Sequence, residues 1–132
     1  IMSPLSLGTN VLSRAGAVFT ALRATVGAKV VMDVPGHAVA YGRAYPEFWV
    51  GVPHDGGPAT VGNGAHFSFA AATKEDVHAF YDKAIALGAT DDGKPGPREH
   101  YSEAYYGCFV KDLDGNKIEA MFWDESKSTV HG

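Results

Sequence analysis

The sequence has a single cysteine, no excess of basic residues and no long apolar run, and each shortage excludes a class of protein. Cys108 alone cannot form an internal disulfide, which favours a cytoplasmic location. The formal net charge of -4 argues against binding to a nucleic-acid backbone. No apolar stretch approaches the roughly 20 residues that span a bilayer, and the first residues lack the pattern of a signal peptide. We therefore expect neither a nucleic-acid partner nor a membrane association.

Two stretches of the chain follow the same order of features. The first runs through Pro4-Leu5-Ser6-Leu7, a helical stretch, Gly27-Ala28 and Glu47-Phe48-Trp49. The second runs through His66-Phe67-Ser68-Phe69, a helical stretch, Gly88-Ala89 and Glu119-Ala120-Met121. Internal repeats of this kind show how a fold is assembled. Pro4 matches His66 by position and Glu47 matches Glu119, although a register slip of one residue would bring Trp49 nearer to that place.

The spacing of apolar residues predicts a helix in each copy, with Ser13 and Thr73 as N-caps. A Gly- and Pro-rich linker at about 54–64 separates module 1, at about 3–53, from module 2, at about 65–124, within one domain spanning 1–132. Residues 94–97 are predicted to form a turn-rich loop. Each module has the pattern βαβββ, which cannot close a core alone. The sequence therefore predicts an α+β fold of two paired modules, with a curved, mixed but mostly antiparallel sheet and helices on its outer face.

The outer strands of each predicted module have one apolar face and one mixed face. In the second copy Phe67 and Phe69 alternate with His66 and Ser68, and the apolar side should lie under the helix. The mixed faces carry histidine, glutamate and large flat side chains, which is typical of a small-molecule site. Carboxylates in such a hollow need a cation, a proton or water. A metal ion or a charged ligand would balance the charge of these carboxylates. The alternative is a site open to solvent, in which water hydrates them.

The segment from Tyr105 to Glu119, with its Asp114-Gly115-Asn116 turn, resembles the closing hairpin of the vicinal oxygen chelate superfamily. That family includes glyoxalase I, extradiol dioxygenases and bleomycin-resistance proteins. His66-Phe67-Ser68-Phe69 resembles the strand that opens the family's second module with a histidine ligand. The resemblance extends over nearly the whole chain and implies the paired-module fold.

The resemblance also implies a divalent ion, of Mn, Zn, Ni, Mg or Fe, that binds adjacent oxygens of a small substrate. Its expected ligands are His66, Glu119 and Glu47, and the two glutamates are the expected catalytic residues. Pro4 stands where relatives often have histidine, and proline cannot ligate, so a site without an ion is the alternative. Six residues are expected to contact the substrate: Trp49, Ser68, Met121, Trp123, His100 and Tyr101.

The function predicted first is a metal-assisted enzyme of the lyase or dioxygenase type that acts on a small molecule with adjacent oxygens. The alternative is a metal-free protein that binds drugs or small molecules as bleomycin-resistance proteins do. Pro4 favours the second function, whereas the presence of His66 and Glu119 favours the first. Either function is expected from a homodimer, because a two-module chain leaves sheet edges and apolar surface to cover.

Overall fold

The computed structural model describes residues 5–127 and contains two β-α-β-β-β units. The elements of module 1 are β1 (Leu5–Gly8), α1 (Leu12–Thr25), β2 (Lys29–Val34), β3 (Ala38–Gly42) and β4 (Phe48–Gly51). Those of module 2 are β5 (His66–Ala70), α2 (Lys74–Ala86), β6 (Thr90–Pro97), β7 (Tyr105–Lys111) and β8 (Lys117–Trp123), followed by a short 3-10 turn, Glu125–Lys127. The predicted α+β fold is confirmed. Pro4 lies outside the described residues.

Each module forms its own four-stranded sheet. The strand orders are β1-β4-β3-β2 and β5-β8-β7-β6, and only the β1–β4 and β5–β8 pairs are parallel. Within residues 5–127 no strand of one sheet is paired with a strand of the other, so the expected curved sheet consists of two separate open sheets. Across the same part of the chain, no helix has both the length and the apolar character needed to cross a bilayer.

The apolar strand faces lie under the helices, as the alternation of side chains predicts. Leu7 and Val50 are buried in module 1, and Phe69 and Ile118 are buried in module 2. The two helices contact each other, and the ring of Phe48 lies 5.0 Å from that of Phe69 in an edge-on arrangement. The cores of the two modules are therefore continuous.

The two helices begin in different ways. The helix α2 begins as predicted, because the Thr73 hydroxyl accepts a 3.1 Å hydrogen bond from the backbone N–H of Asp76. The N-cap of α1 is Val11 rather than the predicted Ser13, and its side chain provides no cap. The backbone N–H of Val11 instead donates to the hydroxyl of Thr9 at 3.2 Å. Thr9 thus fixes the residue from which α1 starts, and α1 has no side-chain cap.

The prediction of a loop at residues 94–97 is wrong, because these residues belong to strand β6. The strand is at the edge of its sheet, and its register with β7 shifts near Gly93 and between Gly93 and Gly96. Proline is tolerated at edges and bulges, where no ladder hydrogen bond is lost. The Arg98 side chain also donates to the backbone carbonyls of Lys94, at 2.8 Å, and Gly96, at 3.0 Å. Turn-forming residues therefore build an irregular strand here.

Asp114, in the turn between β7 and β8, connects module 2 to module 1. Its Oδ2 accepts a 2.6 Å hydrogen bond from the hydroxyl of Thr9, and its Oδ1 accepts from the backbone N–H of Asn10 at 3.0 Å. Thr9 is 1% exposed, so its hydroxyl has no access to bulk water. Asn116 in the same turn donates to the carbonyl of Gly8 at 3.4 Å. These contacts fix the end of β1 against the β7–β8 turn.

Candidate functional site

A buried glutamate with two side-chain partners lies on the face of the module 2 sheet that is turned away from α2. Glu119 on β8 is 6% exposed. Its Oε1 lies 3.2 Å from Nε2 of His66, on β5. The hydroxyl of Tyr105, on β7, donates a hydrogen bond to the other carboxylate oxygen. We call His66, Tyr105 and Glu119 the Glu119 cluster.

The strand register brings the cluster together. In the β5–β8 pair Ser68 is opposite Glu119, and His66 comes two residues earlier on β5, so the three side chains share one face. On β7 the residue opposite Glu119 is Phe109, and Tyr105 reaches the carboxylate from four residues away. The Tyr105 ring passes over Gly107, where a Cβ atom would collide with it. A glycine at position 107 is therefore a requirement of the cluster.

The hydrogen bonds compensate the burial of the Glu119 carboxylate, which would be costly without partners. Burial raises the pKa of Tyr105 far above its ordinary value, and the hydrogen bond to Glu119 raises it further. Tyr105 therefore stays protonated and acts as a donor. His66 is about half exposed and lines a cavity of about 590 Å³ together with Asp92 and Lys117, which form a 3.4 Å ion pair. His66 thus connects the buried carboxylate of Glu119 to this cavity.

Glu47, the third expected metal ligand, does not join His66 and Glu119. Its Oε2 accepts from the backbone N–H of Arg43 at 3.2 Å, and it lines a different cavity, of about 440 Å³, together with Ser68. Within residues 5–127 no three side chains of His, Cys, Asp or Glu are grouped closely enough to hold a metal ion. The chain brings together two of the three residues proposed as ligands.

The register also decides which residue of module 1 matches Glu119. In module 2 Glu119 is opposite Ser68, and in module 1 Trp49 is opposite Ser6 in the equivalent parallel pair. Trp49 therefore occupies the matching position, and Glu47 lies two residues before it. This is the alternative that the sequence comparison left open.

The residues expected to contact a substrate fall into separate places within one chain. Met121 and Trp123 lie two and four residues after Glu119 on β8, so they are on the same face of the strand as Glu119. The rings of His100 and Tyr101 are 4.4 Å apart, and Tyr101 meets Tyr105 edge-on at 5.0 Å. These four residues therefore lie near or beside the Glu119 cluster.

The other two expected contacts line different cavities. Ser68 lines the cavity of about 440 Å³ that also contains Glu47. Trp49 lines a further cavity, of about 480 Å³, whose wall includes His54 and Pro58 of the linker. No single one of these three cavities therefore contains both Trp49 and Ser68.

Sequence reasoning missed two polar residues in this region. Tyr105 was expected only as the first residue of the closing hairpin, and nothing in its spacing pointed to a carboxylate partner. Arg23 is buried on α1, and a signal for it existed, because it follows the buried residues Ala15 and Phe19 at intervals of four. Cys108, by contrast, is fully buried as expected, and burial raises the pKa of its thiol to about 11.

Comparisons with known proteins agree with this architecture. The family model for the Glyoxalase/Bleomycin resistance protein/Dioxygenase superfamily matches residues 18–120. A glyoxalase/bleomycin resistance protein from Albidiferax ferrireducens T118 is 32% identical, with a TM-score of 0.81, over 92% of this chain and 97% of that chain. A lactoylglutathione lyase from Agrobacterium tumefaciens, 20% identical over 92% of each chain, has the same fold with a TM-score of 0.61. No curated protein matches the sequence. The chain belongs to the glyoxalase/bleomycin resistance protein/dioxygenase superfamily.

Proposed function

We propose that this protein binds a small molecule without a metal ion, in the manner of the drug-binding members of its superfamily, and that the Glu119 cluster is the polar centre of its site. The observation that carries this proposal is Trp49. It stands in module 1 where module 2 has its glutamate, so the position that matches Glu119 offers an indole surface instead of a carboxylate. A flat aromatic surface favours a planar ligand.

The donor set of one chain does not fit a divalent ion. Protein sites for zinc and related ions use at least three side-chain ligands, and within residues 5–127 only His66 and Glu119 lie together. Both oxygens of Glu119 already have hydrogen-bond partners in their own module. We therefore assign no chemical step to a metal ion.

The residues themselves indicate how a ligand is held. Glu119, which accepts a hydrogen bond from Tyr105, fixes one side of the His66 imidazole, and His66 borders the cavity of about 590 Å³. A ligand in this cavity can exchange a hydrogen bond with the free edge of the imidazole. The four remaining residues proposed to contact the ligand lie outside the lining of this cavity: Ser68 and Met121 on the strand faces, and His100 and Tyr101 in the loop between β6 and β7. In this proposal Trp49 and Trp123 supply stacking surface, and a second copy of the chain completes the groove.

A metal-assisted enzyme is the second candidate, and one distance favours it. Nε2 of His66 and Oε1 of Glu119 are 3.2 Å apart, so these two atoms would be close enough to ligate one ion. Tyr105 would then orient the ligating carboxylate. This candidate requires a third ligand, and Glu47 of a second copy is the side chain proposed for it. Glu119 and Glu47 would be its catalytic carboxylates.

Elemental analysis of untagged protein separates the two functions. The metal-free proposal predicts less than about a tenth of an equivalent of metal after soaking with Mn²⁺, Ni²⁺, Zn²⁺ or Fe²⁺ followed by dialysis. It also predicts that at least one planar antibiotic raises the melting temperature without metal. About one equivalent of bound ion, lost in Glu119→Gln but kept in the control Glu99→Gln, would overturn it in favour of the enzyme. Glu99 is exposed and lies in the loop after β6, which makes it a suitable control.

A further inference from the structure

Arg23 is a buried cation that the function proposed above does not use. It lies in the last turn of α1 and is 7% exposed. Its guanidinium carbon lies 4.2 Å from the ring centre of Phe69 and 5.6 Å from that of Phe48. Stacking on aromatic faces is a favourable way to hold an arginine, but it occupies the faces of the guanidinium and leaves its N–H donors unused.

The donors of Arg23 have no acceptor in the described part of the chain. Its Nε is buried without a hydrogen-bond partner, and no hydrogen bond or ion pair to the guanidinium occurs within residues 5–127. Burial lowers the pKa of Arg23, and the charge of Glu47 only partly opposes this effect. Glu47 is not within ion-pair distance and instead accepts from the backbone of Arg43. A buried charge with unused donors is strongly stabilised by any ligand that supplies oxygen atoms.

A cavity of about 440 Å³ lies beside the guanidinium, where the edges of the two modules meet. Leu5 from β1 and Ala70 from β5 both line it, so each module contributes a wall. Its charged lining residues are Arg23, Arg43 and Glu47, two positive charges against one negative charge. The exposed Ser68 adds a hydroxyl. The cavity therefore combines apolar walls, a net positive charge and a buried cation with free donors.

We propose that this cavity binds an oxyanion, the carboxylate or phosphate group of a small ligand, through the Arg23 guanidinium. The planar fork of N–H donors in arginine matches the oxygen spacing of both groups. Arg43 adds positive charge, and Ser68 adds a donor. Glu47 weakens the site, because its carboxylate repels the bound anion. This site lies in a different cavity from His66 and shares Ser68 with the contacts proposed for the Glu119 cluster, but its anion-binding group, Arg23, takes no part in that function.

Titrations with inorganic phosphate and with acetate, each at constant ionic strength against chloride, test the proposal. Both the melting temperature and backbone amide NMR shifts should change in a saturable way for at least one of the two anions, and the anion that acts identifies the ligand group. Arg23→Met should weaken that binding at least about tenfold, since it removes charge-assisted hydrogen bonds. Glu47→Gln should strengthen it. Arg14→Met, which removes an exposed arginine of the same helix, should leave it unchanged.

Two outcomes would overturn the proposal. One is the absence of a saturable response of the unmodified protein to either anion. The other is an equal response in the unmodified protein and in Arg23→Met. If Arg23→Met does not fold, Arg23→Lys replaces it, with weaker binding expected because lysine has no planar fork. Unchanged binding in Arg23→Lys together with unchanged binding in Glu47→Gln would then contradict the assignment of the anion to this cavity.

Discussion

Module 1 buries the charged side chain of Arg23, and module 2 buries those of Asp112 and Glu119. Arg23 and Glu119 are treated differently. Glu119 of module 2, at 6% exposure, has hydrogen-bond partners on both oxygens. Arg23 of module 1, at 7% exposure, stacks on Phe69, and its buried Nε has no hydrogen-bond partner within residues 5–127. Burial removes water from both groups, and of the two only Glu119 receives a replacement for it from these residues. The Glu119 carboxylate of module 2 therefore has its hydrogen-bond partners within the protein. The Arg23 guanidinium of module 1 is the group for which we propose an oxygen atom from a ligand.

The backbones of the modules are far more alike than their side chains. The parallel pairs β1–β4 and β5–β8 have matching registers, so Trp49 corresponds to Glu119. By the same comparison Ala40, opposite Trp49, corresponds to Phe109, opposite Glu119. Strand pairing is fixed by the apolar residues beneath the helices, whereas the open faces are free to vary. Repetition of the fold therefore does not require repetition of the chemistry.

The strongest test of the comparison removes one partner of Glu119. Tyr105→Phe keeps the ring but takes away the donated hydrogen bond, which leaves a buried carboxylate short of a partner. We expect the free energy of unfolding to fall by about 2–3 kcal/mol at neutral pH, the range for hydrogen bonds to charged groups. Urea denaturation measures this change. The control Tyr101→Phe alters an exposed tyrosine of the same aromatic contact and should change stability by less than about 0.5 kcal/mol.

A double substitution sharpens the result. In Glu119→Leu combined with Tyr105→Phe, both members of the hydrogen bond are replaced by apolar groups, so no buried polar atom of that pair lacks a partner. Such paired replacements are often nearly neutral. We therefore expect the double variant to be more stable than Tyr105→Phe alone. Strictly additive losses would show that the two groups do not depend on each other.

The connection between the modules is the next feature to break. Asp114→Ala removes the acceptors for the Thr9 hydroxyl and the Asn10 N–H, so the proton of the buried Thr9 hydroxyl is left without an acceptor. We expect a loss of about 2 kcal/mol in the free energy of unfolding. Hydrogen exchange should also quicken at the start of α1, where Val11 depends on Thr9. Asp55→Ala, whose carboxylate accepts only from the nearby Gly57 N–H, is the matched control, and equal losses in both variants would contradict this role of Asp114.

The sequence was sufficient for the fold because local patterns agreed with one another. Alternation along β5 and β8 identified the buried residues Phe69 and Ile118, and the glycines at positions 27 and 88 follow the helices with positive φ, of 79° and 103°. The prediction of Ser13 as the N-cap of α1 was wrong, because α1 begins earlier, after Val11. Val11 is held there by Thr9, and Thr9 in turn is held by Asp114 of the other module, a contact that the local sequence does not record. Strand β6 was missed because its glycines and prolines lie at an irregular edge.

The candidate site was predictable only where both partners lie on paired strands. His66 and Glu119 share one face because β5 and β8 are neighbours, and the sequence repeat contained this information. The partnership of Tyr105 with Glu119 depends on a ring that reaches across Gly107, and a single-strand pattern does not record it. The position of Glu47 depended on a register that apolar alternation alone does not fix, because Glu47 and Trp49 both alternate with Phe48.

The smallest expected effect, and the one of opposite sign, concerns Arg23. Arg23→Met keeps a long side chain against Phe69 and removes a buried charge whose Nε has no partner. The variant loses the cation–aromatic contact, worth about 0.5–2 kcal/mol. It also no longer has the free-energy cost of removing the Arg23 guanidinium from water on folding, and this gain offsets the loss. We expect the free energy of unfolding, measured in urea without added oxyanions, to stay equal or rise by up to about 1 kcal/mol. A fall as large as that of Tyr105→Phe would mean that Arg23 is as well partnered as Glu119, and the contrast between the modules would then be lost.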